Sequence, residues 1–301
     1  MGALRQWLLA CRPKTLVASV VPVIVAAAIG STEVGWRALR WDLVLPCVPA
    51  ALLSQVGCNL VNDAQDFLRG ADTPARRGPA RASQSGHFSP ATVHGAGLAC
   101  FAACLALCAR AFLERGWPLA ATVVACCAVG YAYTGGPVPL AYVGLGDLGV
   151  VATFGVGGTA AFRFILAGGR LLEPAAILAG LQVGLSATNM LAVNNLRDIA
   201  TDRAAGKWTL AARLGHQRAR HQVWLQSGLL LLLWLAWGVV PNTPRISGAP
   251  SLLASPALGV LGGRVLIERE DGNAFGPLLA LAALCHCLLG VCLAAAIATP
   301  R

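Results

Sequence analysis

Apolar residues run along this chain in long blocks, with the polar residues gathered into the gaps between them. Nine blocks stand out, at about 15–31, 43–62, 91–113, 117–134, 146–168, 174–195, 221–241, 249–267 and 274–298. Each is near the roughly 20 residues that an α-helix needs to cross a hydrocarbon core. The pattern predicts an all-α integral membrane protein, a bundle of nine transmembrane helices. A short amphipathic lead precedes it, with Trp7, Leu8 and Leu9 beside Arg5 and Arg12. The eighth block is the weakest, being interrupted by Gly262, Gly263 and Arg264. Pro22, Pro46 and Pro49 fall near block starts or inside blocks, where neighbouring helices can satisfy the freed carbonyls.

Two polar stretches differ from the other gaps. One is Asn59 to Gly86, NLVNDAQDFLRGADTPARRGPARASQSG; the other is Asn194 to Gly215, NNLRDIATDRAAGKWTLAARLG. They follow blocks two and six, four blocks apart. This spacing predicts a single membrane domain over 1–301, with four-helix pseudo-repeats at about 15–140 and 146–267 and a final helix at 274–298.

Composition supports the membrane reading. Hydrophobic residues make up 56% of the 301 and charged residues only 12%, about half of what a soluble domain carries, with mean hydropathy +0.66. The net charge of +10 would suit nucleic acid, but the basic residues lie in the gaps and no nucleic-acid motif is present. Anionic lipid and an anionic substrate are the expected partners. Most of the eleven cysteines lie inside apolar blocks, where a thiol acts as a small hydrophobe, and they are read as filler. Cys285-His286-Cys287 stands alone and lacks the four ligands of a structural zinc site. The N-terminal basic residues and the run ending Ala26-Ala27-Ala28 imitate a signal peptide. Arg12-Pro13-Lys14 interrupts that lead-in, so the first block is read as a retained helix. With the N-terminus cytoplasmic, most of the 23 Lys and Arg residues and both polar stretches fall on the cytoplasmic side, and the C-terminus lies outside.

The chemistry lies in the acids. Asp198 and Asp202 are spaced i, i+4, so a helix puts both carboxylates on one face with Asn194 a turn earlier. Asp63 and Asp66 are spaced i, i+3, with Asn59 and Asn62 each four residues before one of them. Like charges so placed at a membrane edge call for a cation between them, and magnesium, with substrate phosphates completing its shell, fits. Lys207, Arg203, Arg77 and Arg81 could neutralise diphosphate oxygens. Arg69 and Arg76 serve equally well as topology anchors. Asp147, in YVGLGDLG, is either a helix-start charge or a substrate-side acid. Tyr131 and Tyr133, in GYAYTGGP, are either interfacial aromatics or flank a carbocation with their π faces.

These residues resemble the UbiA superfamily of membrane prenyltransferases, closest to its 1,4-dihydroxy-2-naphthoate branch. NDxxDxxxGxD followed by TPxRxGPxR, from Asn62 to Arg81, looks like that branch. So do RPKT at Arg12–Thr15, YTGGP at Tyr133–Pro137, GLGD at Gly144–Asp147 and NNxRDxxTDxxxGKxTLAxRLG. The general motif NDxxDxxxD departs here: Gly70 holds its last position, and the aspartate comes at Asp72.

The resemblance implies a nine-helix bundle with a central lipid-facing cavity, capped by cytoplasmic motif loops in a cell (inner or plasma) membrane. It implies Mg²⁺ held by Asn62, Asp63, Asp66, Asp72, Asp198 and Asp202. Asn59, Asn194, Asn195, Lys207 and an arginine such as Arg81 would assist on the substrate. The implied reaction joins a polyprenyl diphosphate to 1,4-dihydroxy-2-naphthoate with loss of CO₂, and Asp147 takes the acceptor's hydroxyl proton. Another acceptor such as 4-hydroxybenzoate is the alternative within the class. A membrane carrier for anionic lipid or ions is the alternative outside it, and it predicts charges near mid-membrane rather than acids clustered at one face.

Overall fold

The computed structural model describes residues 3–73, 81–246, 251–267 and 275–299, and every regular element among them is helical. In chain order the α-helices are α1 (Ala3–Ala10), α2 (Val17–Val34), α3 (Trp41–Leu68), α4 (Pro90–Leu107), α5 (Ala109–Arg115) and α6 (Trp117–Ala132). They continue with α7 (Gly146–Val150), α8 (Gly158–Ala167), α9 (Pro174–Ala204), α10 (Leu210–Ala236), α11 (Ser251–Ile267) and α12 (Phe275–Ala298). A π-helical stretch, Val151–Gly157, joins α7 to α8 in one continuous rod.

Each of the nine expected blocks coincides with a helix, but the boundaries differ in three instructive ways. The motif stretches begin as helix, not loop: α3 runs to Leu68 and α9 to Ala204, carrying Asn62, Asp63, Asp66, Asp198 and Asp202 in their last turns. The third block is broken at Cys108 into α4 and α5. The seventh begins early, and α10 is kinked at Gly215, whose φ of 75° lies in the region that glycine alone enters freely. Six helical segments are long and apolar enough to cross a membrane: Val17–Val34, Trp41–Leu68, Pro90–Leu107, Gly146–Ala167, Pro174–Ala204 and Phe275–Ala298. Trp117–Ala132 and Ala254–Ile267 are shorter apolar helices. The protein is a multi-pass membrane protein.

The helices pack on small residues, as helices in lipid must when both sides of an interface are equally apolar. Gly155 of the π-helical stretch faces Gly180 and Gly184 of α9, and a Cβ at Gly155 would strike the Gly180 carbonyl. Gly57 of α3 and Gly97 of α4 approach in the same way, each with the other's carbonyl where its Cβ would lie. One apolar core joins α2, α3, α4, α6 and α8; others join α2 and α9 to α12. Leu45, Leu113, Leu232 and Leu235 stay exposed on the outer surface, which suits a lipid-facing wall. Within the first core lies an apolar cavity of about 100 Å³ between α2, α3, α4, α6 and the α7–α8 rod, reaching Cys58 on α3. Cys58 is eight residues from Asp66, about 12 Å along the helix.

Candidate functional site

The last turns of α3 and α9 and the loops that follow them come together at one end of the bundle. Asp66 is their centre. Its Oδ2 accepts from Lys207 Nζ at 2.9 Å and from Asn62 Nδ2 at 2.8 Å, and its Oδ1 accepts from the Tyr142 hydroxyl at 2.9 Å. The Asp66–Lys207 pair thus joins the first motif to the second, 141 residues apart in sequence. The local reason is the turn after α9. Gly206 adopts a φ of 69°, and the Lys207 backbone N–H returns to the Asp202 carbonyl at 2.8 Å, aiming the side chain across the site. Burial opposes the charge on Lys207, yet the neighbouring Asp66 and Asp202 outweigh it and raise its pKa, so the ammonium persists.

The other first-motif residues divide by role. Asp63 accepts from the backbone N–H groups of Ala82 at 2.8 Å and Ser83 at 2.9 Å, clamping the returning loop onto α3. Asn62 Oδ1 accepts from Arg81 at 2.7 Å and Arg12 at 2.9 Å. Arg81 also lies 3.4 Å from Asp72 and 3.7 Å from Asp66. Asn59 faces the N-terminal segment instead: its Nδ2 donates to the Cys11 carbonyl and to Thr15 Oγ1, and its Oδ1 accepts from Gln55. Arg77 lies outside the described residues.

In the second motif, Asp198 is held by Arg197 through two hydrogen bonds of 2.7 Å. Asp202, buried, accepts from Thr209 at 3.4 Å. Asn194 and Asn195 are half-buried and make no side-chain hydrogen bond among the described residues. Arg203 is spent locally, its Nε donating to the Ala212 carbonyl at 2.8 Å. Asp147, buried at the start of α7, accepts from Gln222 of α10 at 2.8 Å. Tyr133 lies against Gly146 beside it. Tyr131 tilts against His94, with ring centroids 6.0 Å apart, and joins the apolar core.

Sequence reasoning missed Tyr142 as a site residue. It lies in the loop between α6 and α7, with Arg69 at 5.2 Å and Lys207 at 5.6 Å from its ring centroid. Burial and the adjacent Asp66 push its phenol pKa up, so the group stays a donor. Its only signal was its place between YTGGP and GLGD. Gln222 was likewise missed, while Arg12 and Thr209 were read as members of the RPKT and GKxTLAxRLG motifs without a stated role. Arg12 adopts a φ of 51°, a strained value for a residue with a Cβ, at the point where its guanidinium reaches Asn62.

Magnesium suits this donor set in kind. The convergent groups are hard oxygens from Asp66, Asp202 and Asn62, and a cation, Lys207, already lies among the carboxylates. Among the described residues no three carboxylate, imidazole or thiol groups form a complete cage.

The profile of the UbiA prenyltransferase family matches residues 19–275. The chain is 33% identical over 289 residues to a 1,4-dihydroxy-2-naphthoate octaprenyltransferase of Mycobacterium tuberculosis, covering 91% of this chain and 94% of that one. It is 34% identical over 287 residues to the Escherichia coli protein of the same name, covering 91% and 89%. A UbiA homologue from Archaeoglobus fulgidus, solved with GPP and Mg²⁺, shares the fold with a TM-score of 0.65 at 15% identity, over 96% of this chain and 99% of that one. With both motifs meeting at one end of an apolar bundle, the chain belongs to the UbiA prenyltransferase family.

Proposed function

We propose that this protein transfers a polyprenyl group from a polyprenyl diphosphate to 1,4-dihydroxy-2-naphthoate, with loss of CO₂ and pyrophosphate. The observation that carries this is the buried Asp66–Lys207 pair, which brings two anion- and cation-binding motifs to one point above an apolar cavity. Support for the acceptor comes from relatives of that name at 33–34% identity over nine-tenths of the chain.

Asp66, Asp202 and Asn62 would hold Mg²⁺, with Asp198 joining once it leaves Arg197. Bound there, the metal supplies Lewis-acid withdrawal of charge from the diphosphate leaving group. Lys207, Arg81 and Arg12 bind the remaining phosphate oxygens, and Arg197 is freed for the same role. Asp63 keeps the loop bearing Arg81 in place. The apolar cavity receives the prenyl chain next to its diphosphate and keeps water from the allylic carbon. The naphthoate ring carbon bearing the carboxylate attacks that carbon as its C–O bond breaks; loss of CO₂ then restores the aromatic ring. Asp147, oriented by Gln222, accepts the proton of the acceptor hydroxyl. Tyr142 holds Asp66 and Lys207 in register. The site faces the cytoplasm, where phosphorylated metabolites are made.

The test is a reaction of the purified protein in lipid nanodiscs with a polyprenyl diphosphate, Mg²⁺ and either 1,4-dihydroxy-2-naphthoate or 4-hydroxybenzoate. Prenylated product with stoichiometric CO₂ is expected from the naphthoate alone. Equal use of 4-hydroxybenzoate overturns the acceptor assignment.

A further inference from the structure

Six of the chain's eleven cysteines line the apolar cavity described above: Cys47, Cys58, Cys104, Cys108, Cys126 and Cys127. Filling space does not require sulfur there, since alanine, valine and serine line the same walls. Four of the thiols adjoin one another. Cys127 Sγ lies 3.9 Å from Cys104 Sγ, joining α6 to α4, and Cys108 adjoins both Cys104 and Cys47. Ser54 Oγ lies 3.9 Å from Cys127 on its other side. Cys104 and Cys127 are 3% and 8% exposed and stand in an apolar cavity wall, a setting that favours an apolar reagent over a charged one.

We propose that Cys104 and Cys127 are an oxidation site that a lipid-soluble quinone converts to a disulfide, constricting the cavity. The chemistry balances. Each thiol gives up one proton and one electron, the S–S bond forms, and the quinone takes up both protons and both electrons to become the hydroquinone. Closing the bond draws the sulfurs from 3.9 Å to about 2 Å. Because the two residues belong to different helices, the bond ties α4 to α6 across the cavity wall. Cys104 of α4 and Cys108 at the break just after it are four residues apart on the same side of the wall, so a bond between them would leave α4 and α6 untied. Only the choice of oxidant rests on the proposed reaction, whose prenylated dihydroxynaphthalene product becomes such a quinone on oxidation.

The probe is 2,3-dimethyl-1,4-naphthoquinone, whose ring carbons are blocked against thiol addition, so that it can oxidise but not alkylate. Nanodisc-embedded protein is treated with it or with ferricyanide, a membrane-excluded oxidant, and then mapped by mass spectrometry without reduction. The expected result is a Cys104–Cys127 linked peptide with the quinone and none with ferricyanide. Prenyl transfer should fall about tenfold, as expected when a donor chain is displaced, and tributylphosphine, an apolar reductant that enters the membrane, should restore it. Cys104→Ala and Cys127→Ala should keep their own untreated rates after quinone, while Cys126→Ala should remain sensitive. No linked peptide, linkage to Cys47 or Cys108 instead, or a linked peptide with undiminished activity overturns the proposal. The peptide map reads the disulfide whether or not the naphthoate is the acceptor, so failure of that reading is told apart.

Discussion

Asp63 and Asp66, three residues apart on one helix, have different tasks. Both oxygens of Asp63 are used by backbone N–H groups, whereas Asp66 meets a lysine, a tyrosine and an asparagine at the centre of the site. Asp63→Asn leaves one of those N–H groups facing an amide N–H, which costs about 1–3 kcal/mol. A lower melting temperature in detergent, with residual activity, is the expected outcome. Asp66→Asn breaks the buried pair with Lys207, so melting should fall further and activity should drop below detection, read in the same preparations. Tyr142→Phe removes a hydrogen bond to a charged group, worth about 1.5–3 kcal/mol, so kcat/KM should fall about 10- to 100-fold while the ring remains over both cations. Lys207→Ala strips the cation from two buried carboxylates, a loss of about 3–5 kcal/mol that should appear in both melting and activity. Lys207→Arg should not rescue it, because the slot holds a compact ammonium.

At the scale of the helices, the close approach of the α7–α8 rod to α9 sets where Asp147 stands relative to Asp202. Gly155→Val places a side chain against the Gly180 carbonyl, where backbone cannot give way. Overpacking of this kind costs about 1–3 kcal/mol even when it can relax. Reduced yield of folded protein and an earlier melting transition are expected, whereas Gly95→Ala on α4, with nothing near its Cβ, should melt like the parent. The helix extensions of α3 and α9 carry a lesson about reading apolar blocks. Hydropathy marks where a helix leaves lipid, not where it stops. Asp63, Asp66, Asp198 and Asp202 continue their helices past the apolar limit because a partner surface awaits them there.

For the whole molecule, the site is assembled from segments that are remote in the chain, and each half lacks what the other supplies. Chelation with EDTA should abolish prenyl transfer without lowering the melting temperature of the substrate-free protein. The carboxylates are already balanced by Lys207, Arg81 and Arg197, so the fold does not depend on the metal. A melting transition that drops on chelation would instead make magnesium structural.

The all-helical membrane architecture, the positions of the apolar helices and both acidic motifs were legible in the linear sequence. Apolar length and i, i+4 spacing are local properties that lipid and helix geometry enforce on any such chain. Tertiary structure decided which of the motif residues meet. It turned Asn59 toward the N-terminal segment, consumed Arg203 in a local carbonyl contact, made Asp63 a loop clamp and brought Tyr142 and Arg12 to the centre. It also placed cysteines from three helices around one cavity, where each taken alone had read as filler. These outcomes depend on helix pairing and loop return over 50 to 141 residues of chain, which no local pattern of charge or hydropathy encodes.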